Sequence, residues 1–244
     1  MLAALINVIT SPIDGFSYIT KNLNWKHAFL PILFLSIFNI FSGTVMKEEV
    51  REMNFDRASE WINNSDRMTD EQKDQALNSM EERMNSSSSI IGTIFIQDSI
   101  PPSFGSLPQW PIRILFWSLF ALMAGNLFLG GGVSFGMVFT ISSFAYLASV
   151  VEYIFKTGYQ FITGDLMFFT GLGILNIGEQ GAFINSFLTS LDLFAFWRVY
   201  LVAVGFTLVY NKSLNNCLGV LSGLWIFLSI LGSGLGSFIA SFFS

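Results

Sequence analysis

Three ionisable residues stand in stretches of the chain that are otherwise apolar: Glu152, Asp192 and Arg198. A charge at the centre of a lipid bilayer costs roughly 2.5–3.5 kcal/mol on insertion scales, so such residues are retained for a reason. The chemistry open to them is ion pairing between helices, a polar path for an ion or proton, or anchorage at the membrane edge. Asp192 and Arg198 lie six residues apart in the segment LTSLDLFAFWRVYL at 188–201. At about 100° per residue that leaves them about 120° apart around a helix, so they do not pair with each other. Each needs a neighbour elsewhere, and Glu152 is the partner expected for Arg198.

Plainer roles compete with functional ones. Glu152 precedes Lys156 by four residues, the favourable order for a pair on one helix. Asp192 follows Ser190 in a first helical turn, where the helix dipole favours an acid. Arg198, about 9 Å further along the axis, can snorkel toward an interface. Catalytic signatures are missing from the sequence. It has one His and one Cys, so no internal disulfide forms, and it has no HExxH, CxxC or P-loop. His27 sits beside Lys26 and reads as an interfacial polar residue. GSGLG at 232–236 lies inside an apolar run with no strand before it, so it is no nucleotide loop. Neither an enzyme nor a cofactor or metal is expected.

The elements that must position these charges are membrane helices. Of the 244 residues 52% are hydrophobic and 12% charged, with 27 Phe and a mean hydropathy of +0.57. Apolar runs of about 18–25 residues recur, the length that crosses a hydrocarbon core. Between Lys47 and Arg83 eleven acids face six bases, which accounts for the whole net charge of −5. The acidity therefore belongs to one hydrophilic insert, and the chain lacks the basic face of a nucleic-acid binder.

The expected fold is all-α: a polytopic membrane protein with five transmembrane helices, an N-terminal interfacial helix and a helical hairpin insert after the first span. Residues 1–26 form the interfacial amphipathic segment, with Ser11 as N-cap, Pro12 in the first turn and Asp14 at its N3 position. The opening MLAALINVIT lacks a basic region and is not read as a signal peptide. The first span is 27–46. The insert is 47–109: a prolonged helix with Val50, Met53 and Trp61 on its apolar side, a turn at 63–66, and a capping box in which Thr69 and Gln72 serve each other. The helix it opens carries Ala76, Leu77, Met80 and Met84 as a stripe. Ser86–Ser89 is a joint, 90–96 is too short to span, and prolines follow. Residues 110–244 form a four-span domain, with crossings near 112–129, 135–155, 191–210 and 217–239. Within it 156–189 is interfacial, and 166–178 re-enters or lies on the membrane. Gly219 and Gly223, then Gly232 and Gly236, are small residues four apart that let helices approach closely. They serve either packing within the chain or a homo-oligomer through the fifth span. Asn39 and Asn126 read as interhelical hydrogen-bonding residues. The bias of Lys21, Lys26 and Lys212 favours an inside N-terminus.

Ser11-Pro12 and Phe16 before the first span, Leu191-Asp192-Leu193-Phe194, Trp197 and Gly205 on one later helix, and SFGMVFTISSFAYLASVVEYI at 134–154 resemble the bacterial branch of the Yip (Ypt-interacting protein) domain family. A phrase like Met68–Gln72 in a hydrophilic insert is also similar to bacterial members. The resemblance implies five spans, a cytosolic N-terminus and a C-terminus on the far side. Eukaryotic members contact small GTPases through an aspartate-leucine-tyrosine-glycine-proline signature. Asp192-Leu193-Phe194-Ala195 lacks its glycine and proline, so that activity is not carried over. The resemblance implies a non-enzymatic scaffold or accessory protein of the bacterial inner membrane, associated with export machinery or other membrane proteins. Its insert and C-terminus would be extracytoplasmic, and Asp192, Trp197 and Arg198 would organise the bundle or a partner surface. The alternative is a transporter or channel component whose polar cavity is lined by Glu152, Asp192 and Arg198.

Overall fold

The computed structural model describes residues 2–22, 24–45, 68–86, 109–163, 170–178 and 182–243, together with Phe55, Asp56, Ser59, Ile62 and Asn63. The expectations for Val50, Met53 and Trp61, for the turn at 64–66, for the Ser86–Ser89 joint beyond its first residue and for 90–96 lie outside the described residues. So do the surroundings of Asn39, Met84 and Gly236. The described residues are helical throughout apart from turns and one isolated β-bridge. They divide into two units. One comprises Met1–Ser36, Gln109–Ile154 and Phe168–Ser244, and the other Ile37–Pro108 and Phe155–Met167.

The first unit begins with a helical hairpin, α1 (Leu2–Thr10) and α2 (Pro12–Lys21). Ser11 stands at the N-cap of α2 with Pro12 behind it, but its hydroxyl makes no capping bond. The hairpin closes because position 15 is glycine: a Cβ there would lie 2.7 Å from the Val8 nitrogen. Val8, Phe16 and Ile19 are fully buried in consequence, as part of the main core. A 3₁₀ turn at Trp25–Ala28 leads into α3 (Phe29–Val45).

Among the described residues, four helices are long and apolar enough to cross a membrane: Trp110–Gly130, Phe135–Thr163, Leu193–Tyr210 and Leu214–Leu235. At 1.5 Å per residue even the shortest, of 18 residues, reaches about 27 Å. The crossing expected at 27–46 is helical over Phe29–Val45, but its described apolar stretch is the shorter Trp25–Phe38. Among the described residues there are thus four candidate spans.

The first two of these helices depart from an ideal rod in a way that matters for what they position. The first is α5 (Gln109–Ala124) followed by a π-helical turn, Gly125–Gly130. The second breaks into α6 (Phe135–Ala145) and α7 (Ala148–Thr163), with three-residue hydrogen bonds such as Leu147 N–H to Phe144 carbonyl and Val150 N–H to Leu147 carbonyl. Thr140 and Ser143 donate back to the carbonyls of Gly136 and Phe139, both at 2.7 Å, a pattern that bends helices. After the short α8 (Phe183–Ser190), the third is α9 (Leu193–Tyr210), central to the core through Val199, Leu201, Val202 and Phe206. It meets α6 where Gly205 faces Ile141. The last, α10 (Leu214–Phe243), packs on α9 through Cys217 and Leu221. Only 11% of its apolar window is buried, so most of its surface is left for lipid.

In the second unit, α4 (Asp70–Ser86) starts with the expected capping box: Thr69 N–H donates to Gln72 Oε1 at 3.0 Å and Gln72 N–H to Thr69 Oγ1 at 3.4 Å. Lys73 Nζ donates to the Asn63 carbonyl at 2.9 Å. Ala76, Leu77 and Met80 are half-buried among exposed charged neighbours.

Candidate functional site: an arginine held between helices

The start of α9 is built before its charges are placed. Leu172 N–H donates to the Leu191 carbonyl at 3.1 Å and Leu193 N–H to the Thr170 carbonyl at 3.4 Å, forming an antiparallel bridge between Gly171 and Asp192. Only glycine fits at 171, since a Cβ would sit 2.5 Å from Asp192 Cα and closer still to the Leu191 carbonyl oxygen. The segment 170–178, expected to re-enter or lie on the membrane, thus pairs with the entry to α9 and continues as a 3₁₀ turn, Leu172–Leu175. Asp192 takes extended backbone geometry and is itself the N-cap. Its Oδ1 accepts from Ala195 N–H at 2.8 Å, satisfying a donor that a helix start otherwise leaves open.

Arg198 lies nearly two turns further in and turns toward α7. Its Nη1 donates to Glu152 Oε2 at 2.6 Å and to Ser149 Oγ at 2.9 Å. Ser149 and Glu152 are three residues apart on one helix, which puts them on one face. The guanidinium also lies over the Tyr146 ring, 5.7 Å from its centroid, a cation–π arrangement. Tyr146 sits at the break between α6 and α7, so the break aims ring, hydroxyl and carboxylate at one cation. Trp110 of α5 meets Tyr146 and Tyr153 edge-on, at 6.0 and 5.9 Å, and Arg113 stands 5.7 Å from the Trp110 ring. The two side chains of the ion pair are 19% and 14% exposed, so the pair is shielded without being sealed.

The structure therefore brings Glu152 and Arg198 together and leaves Asp192 to its own helix end. Trp197 points elsewhere: it is half-buried against the main core, with its ring 6.3 Å from that of Phe194. Tyr146, Ser149, Trp110 and Arg113 were not singled out from sequence as parts of this cluster. The signal available was the spacing Tyr146, Ser149, Glu152, Tyr153, which places polar and aromatic groups along one helical face. Among the described residues no three of His, Cys, Asp and Glu converge on a point. Cys217 is buried in α10. What the cluster does is local: it locks three helices together by a charge-assisted hydrogen bond and aromatic edges.

Three of the glycines expected to pack the last span have no close neighbour among the described residues. A Cβ at Gly219, Gly223 or Gly232 would find nothing within 4 Å. Close approach is made by other glycines, at 15, 171 and 205 and at Gly125, whose Cβ would meet Tyr210. Asn126 is the interhelical amide expected. Tyr210 of α9 donates its hydroxyl to Asn126 Oδ1 at 3.0 Å, and Val133 N–H reaches the same oxygen at 3.3 Å.

The chain matches no protein-family model, no curated protein and no solved structure.

Proposed function

We propose that this is a non-enzymatic accessory or scaffold protein of the Yip-domain type that binds other membrane proteins in a bacterial inner membrane. In this reading 27–46 is a fifth crossing and the N-terminus is cytoplasmic. The acidic insert at 47–109 and the C-terminus then lie outside, where the insert serves as a docking element for partners such as export machinery. The observation that carries the reading is the closed set around Arg198. Its charge is answered by Glu152, Ser149 and the Tyr146 ring, and Asp192 is answered by a backbone N–H. A transport path needs such groups facing water and changing partners. Here they are used to fix helices, which suits a rigid platform.

The test is photo-crosslinking in native membranes, with the probe placed in the insert and on the exposed face of α10, followed by identification of the attached proteins. Reproducible capture of the same membrane proteins at native expression supports the scaffold. Recovery of the uncrosslinked monomer alone from both positions overturns it.

A further inference from the structure

One end of the first unit holds an open cavity of about 460 Å³ that the Arg198 cluster does not touch. Its size falls within the roughly 300–1,000 Å³ of small-ligand sites. One wall is polar: Ser17, Thr20 and Lys21 from the end of α2, and Ser134 at the start of α6. The other is apolar: Met137 from α6 and Leu208 and Val209 from the end of α9. Lys21 is the only charged lining residue, and no ion pair engages it among the described residues. The Ser134 hydroxyl makes no capping bond. Thr20 Oγ1 donates to the carbonyls of Phe16 and Ser17, which leaves its lone pairs free to accept.

The cavity is preformed. Val133, one of its lining residues, is held by Asn126, whose Nδ2 donates to the Val133 carbonyl at 3.4 Å while Oδ1 accepts Val133 N–H at 3.3 Å. Its depth in a membrane is marked by Trp25, 54% exposed, which lies against Gly136, next to the lining residue Met137, 3.6 Å from the position a Cβ there would take. Exposed Trp and Lys together mark the headgroup level.

We infer that this cavity is a binding site for one anionic glycerophospholipid, its phosphate held by Lys21 with the Ser17 and Ser134 hydroxyls and an acyl chain lying along Met137, Leu208 and Val209. The assignment needs the chain to be embedded in a bilayer but does not depend on the scaffold role. A lysine with no ion-pair partner among the described residues selects a net anionic headgroup over a zwitterionic one, because no described lining residue is an acid that could meet a choline or ethanolamine cation. The apolar wall selects a lipid over a soluble phosphate.

Native mass spectrometry of the full chain in detergent tests this, with dioleoyl phosphatidylglycerol, dioleoyl phosphatidylcholine and inorganic phosphate as probes. The expected result is one retained phosphatidylglycerol, preferred over phosphatidylcholine. Lys21→Gln should reduce that preference about fivefold, the factor a lysine is worth near an anionic surface. Lys21→Arg should keep it, and Lys26→Gln, which alters a neighbouring exposed lysine outside the cavity, should leave it unchanged. Met137→Trp should lower retention of both lipids by filling the apolar wall. Lys21 is exposed in the last turn of α2, so its replacement leaves the core intact, and an unchanged circular dichroism spectrum verifies this. Equal retention of the two lipids by the unaltered protein overturns the assignment. So does an equal effect of Lys26→Gln and Lys21→Gln, or displacement of the lipid by inorganic phosphate at equal concentration. Crosslinked protein partners are not measured in this experiment, so the scaffold reading stands or falls separately.

Discussion

Removing both Glu152 and Arg198 should destabilise the bundle by less than the sum of the two single removals, because each single removal leaves the other ion without its partner. The perturbation is the pair Glu152→Gln and Arg198→Met with their double mutant. Arg198 Nη1 lies 2.6 Å from Glu152 Oε2, and the two side chains are 19% and 14% exposed. Truncating one member of a fully buried pair costs about 3–5 kcal/mol, mostly because the other ion is left without a partner. Partial exposure here reduces that to about 2–3 kcal/mol, since the surviving ion can draw water or headgroups toward it. In the double mutant no ion is orphaned, so its cost should fall short of the sum by about 1.5 kcal/mol. Thermal unfolding in detergent reads this. For a chain of this size 1 kcal/mol is worth about 2–4 °C, so each single substitution should lower Tm by about 4–12 °C. Reversing both charges, Glu152→Arg with Arg198→Glu, should recover part of the loss caused by either reversal alone. If the single effects add within about 0.5 kcal/mol, as uncoupled sites do, and the double reversal recovers nothing, the pair does not hold the helices and the reasoning fails.

Three further substitutions test how the surrounding elements are built. Asp192→Ala should cost about 1 kcal/mol and Asp192→Asn much less, because the side-chain oxygen that caps Ala195 N–H survives in the amide; faster hydrogen exchange at 193–195 in the alanine variant is the direct readout. Gly205→Ala should cost about 1–3 kcal/mol by overpacking, since its Cβ would run into Cγ2 of the fully buried Ile141, and Ile141→Ala should relieve part of that strain in the double mutant. Gly219→Leu and Gly223→Leu should leave the unfolding temperature of the detergent-solubilised monomer unchanged, because a side chain at either position meets open space; a fall of several degrees would show that α10 packs more tightly than described.

How much of this could be read from residues alone depended on whether the deciding contact was local. The capping box at Thr69 and Gln72 and the acid at the start of α9 follow from short-range hydrogen-bonding rules, and both are present. The partner of Arg198 was also accessible, since an orphaned arginine in lipid needs an acid and the third span carries one, Glu152. The π-helical turn at Gly125–Gly130 was not legible. It accompanies an asparagine bonded to Tyr210, 84 residues away in sequence, and no local pattern encodes that. The break at Tyr146 has no proline or glycine to announce it. The glycine spacing of the last span defines a face but says nothing of what lies opposite, and at Gly219, Gly223 and Gly232 no described residue of the chain does. The isolated Gly205 and Gly171 were placed against neighbours by tertiary structure, which spacing cannot convey.

The two ends of α9 are built in contrasting ways. Asp192 and Val209 are separated by about 25 Å along the axis. At the first end both charges have answering groups: an N–H for Asp192, a carboxylate, a hydroxyl and a ring for Arg198. At the other, Leu208 and Val209 border a cavity whose one cation has no ion-pair partner among the described residues. A helix whose start is pinned by internal pairs can hold its far end in place for a ligand without contributing a charge there. The two functions should therefore separate on mutation. Arg198→Met should lower the unfolding temperature by several degrees, yet the folded fraction should retain the same Lys21-dependent preference for phosphatidylglycerol. Sites more than about 10 Å apart that share no partners behave independently to within about 0.5 kcal/mol, roughly a twofold change in that preference. A larger loss in Arg198→Met, measured on protein that is still folded, would show that the two ends are coupled and that α9 transmits strain between them.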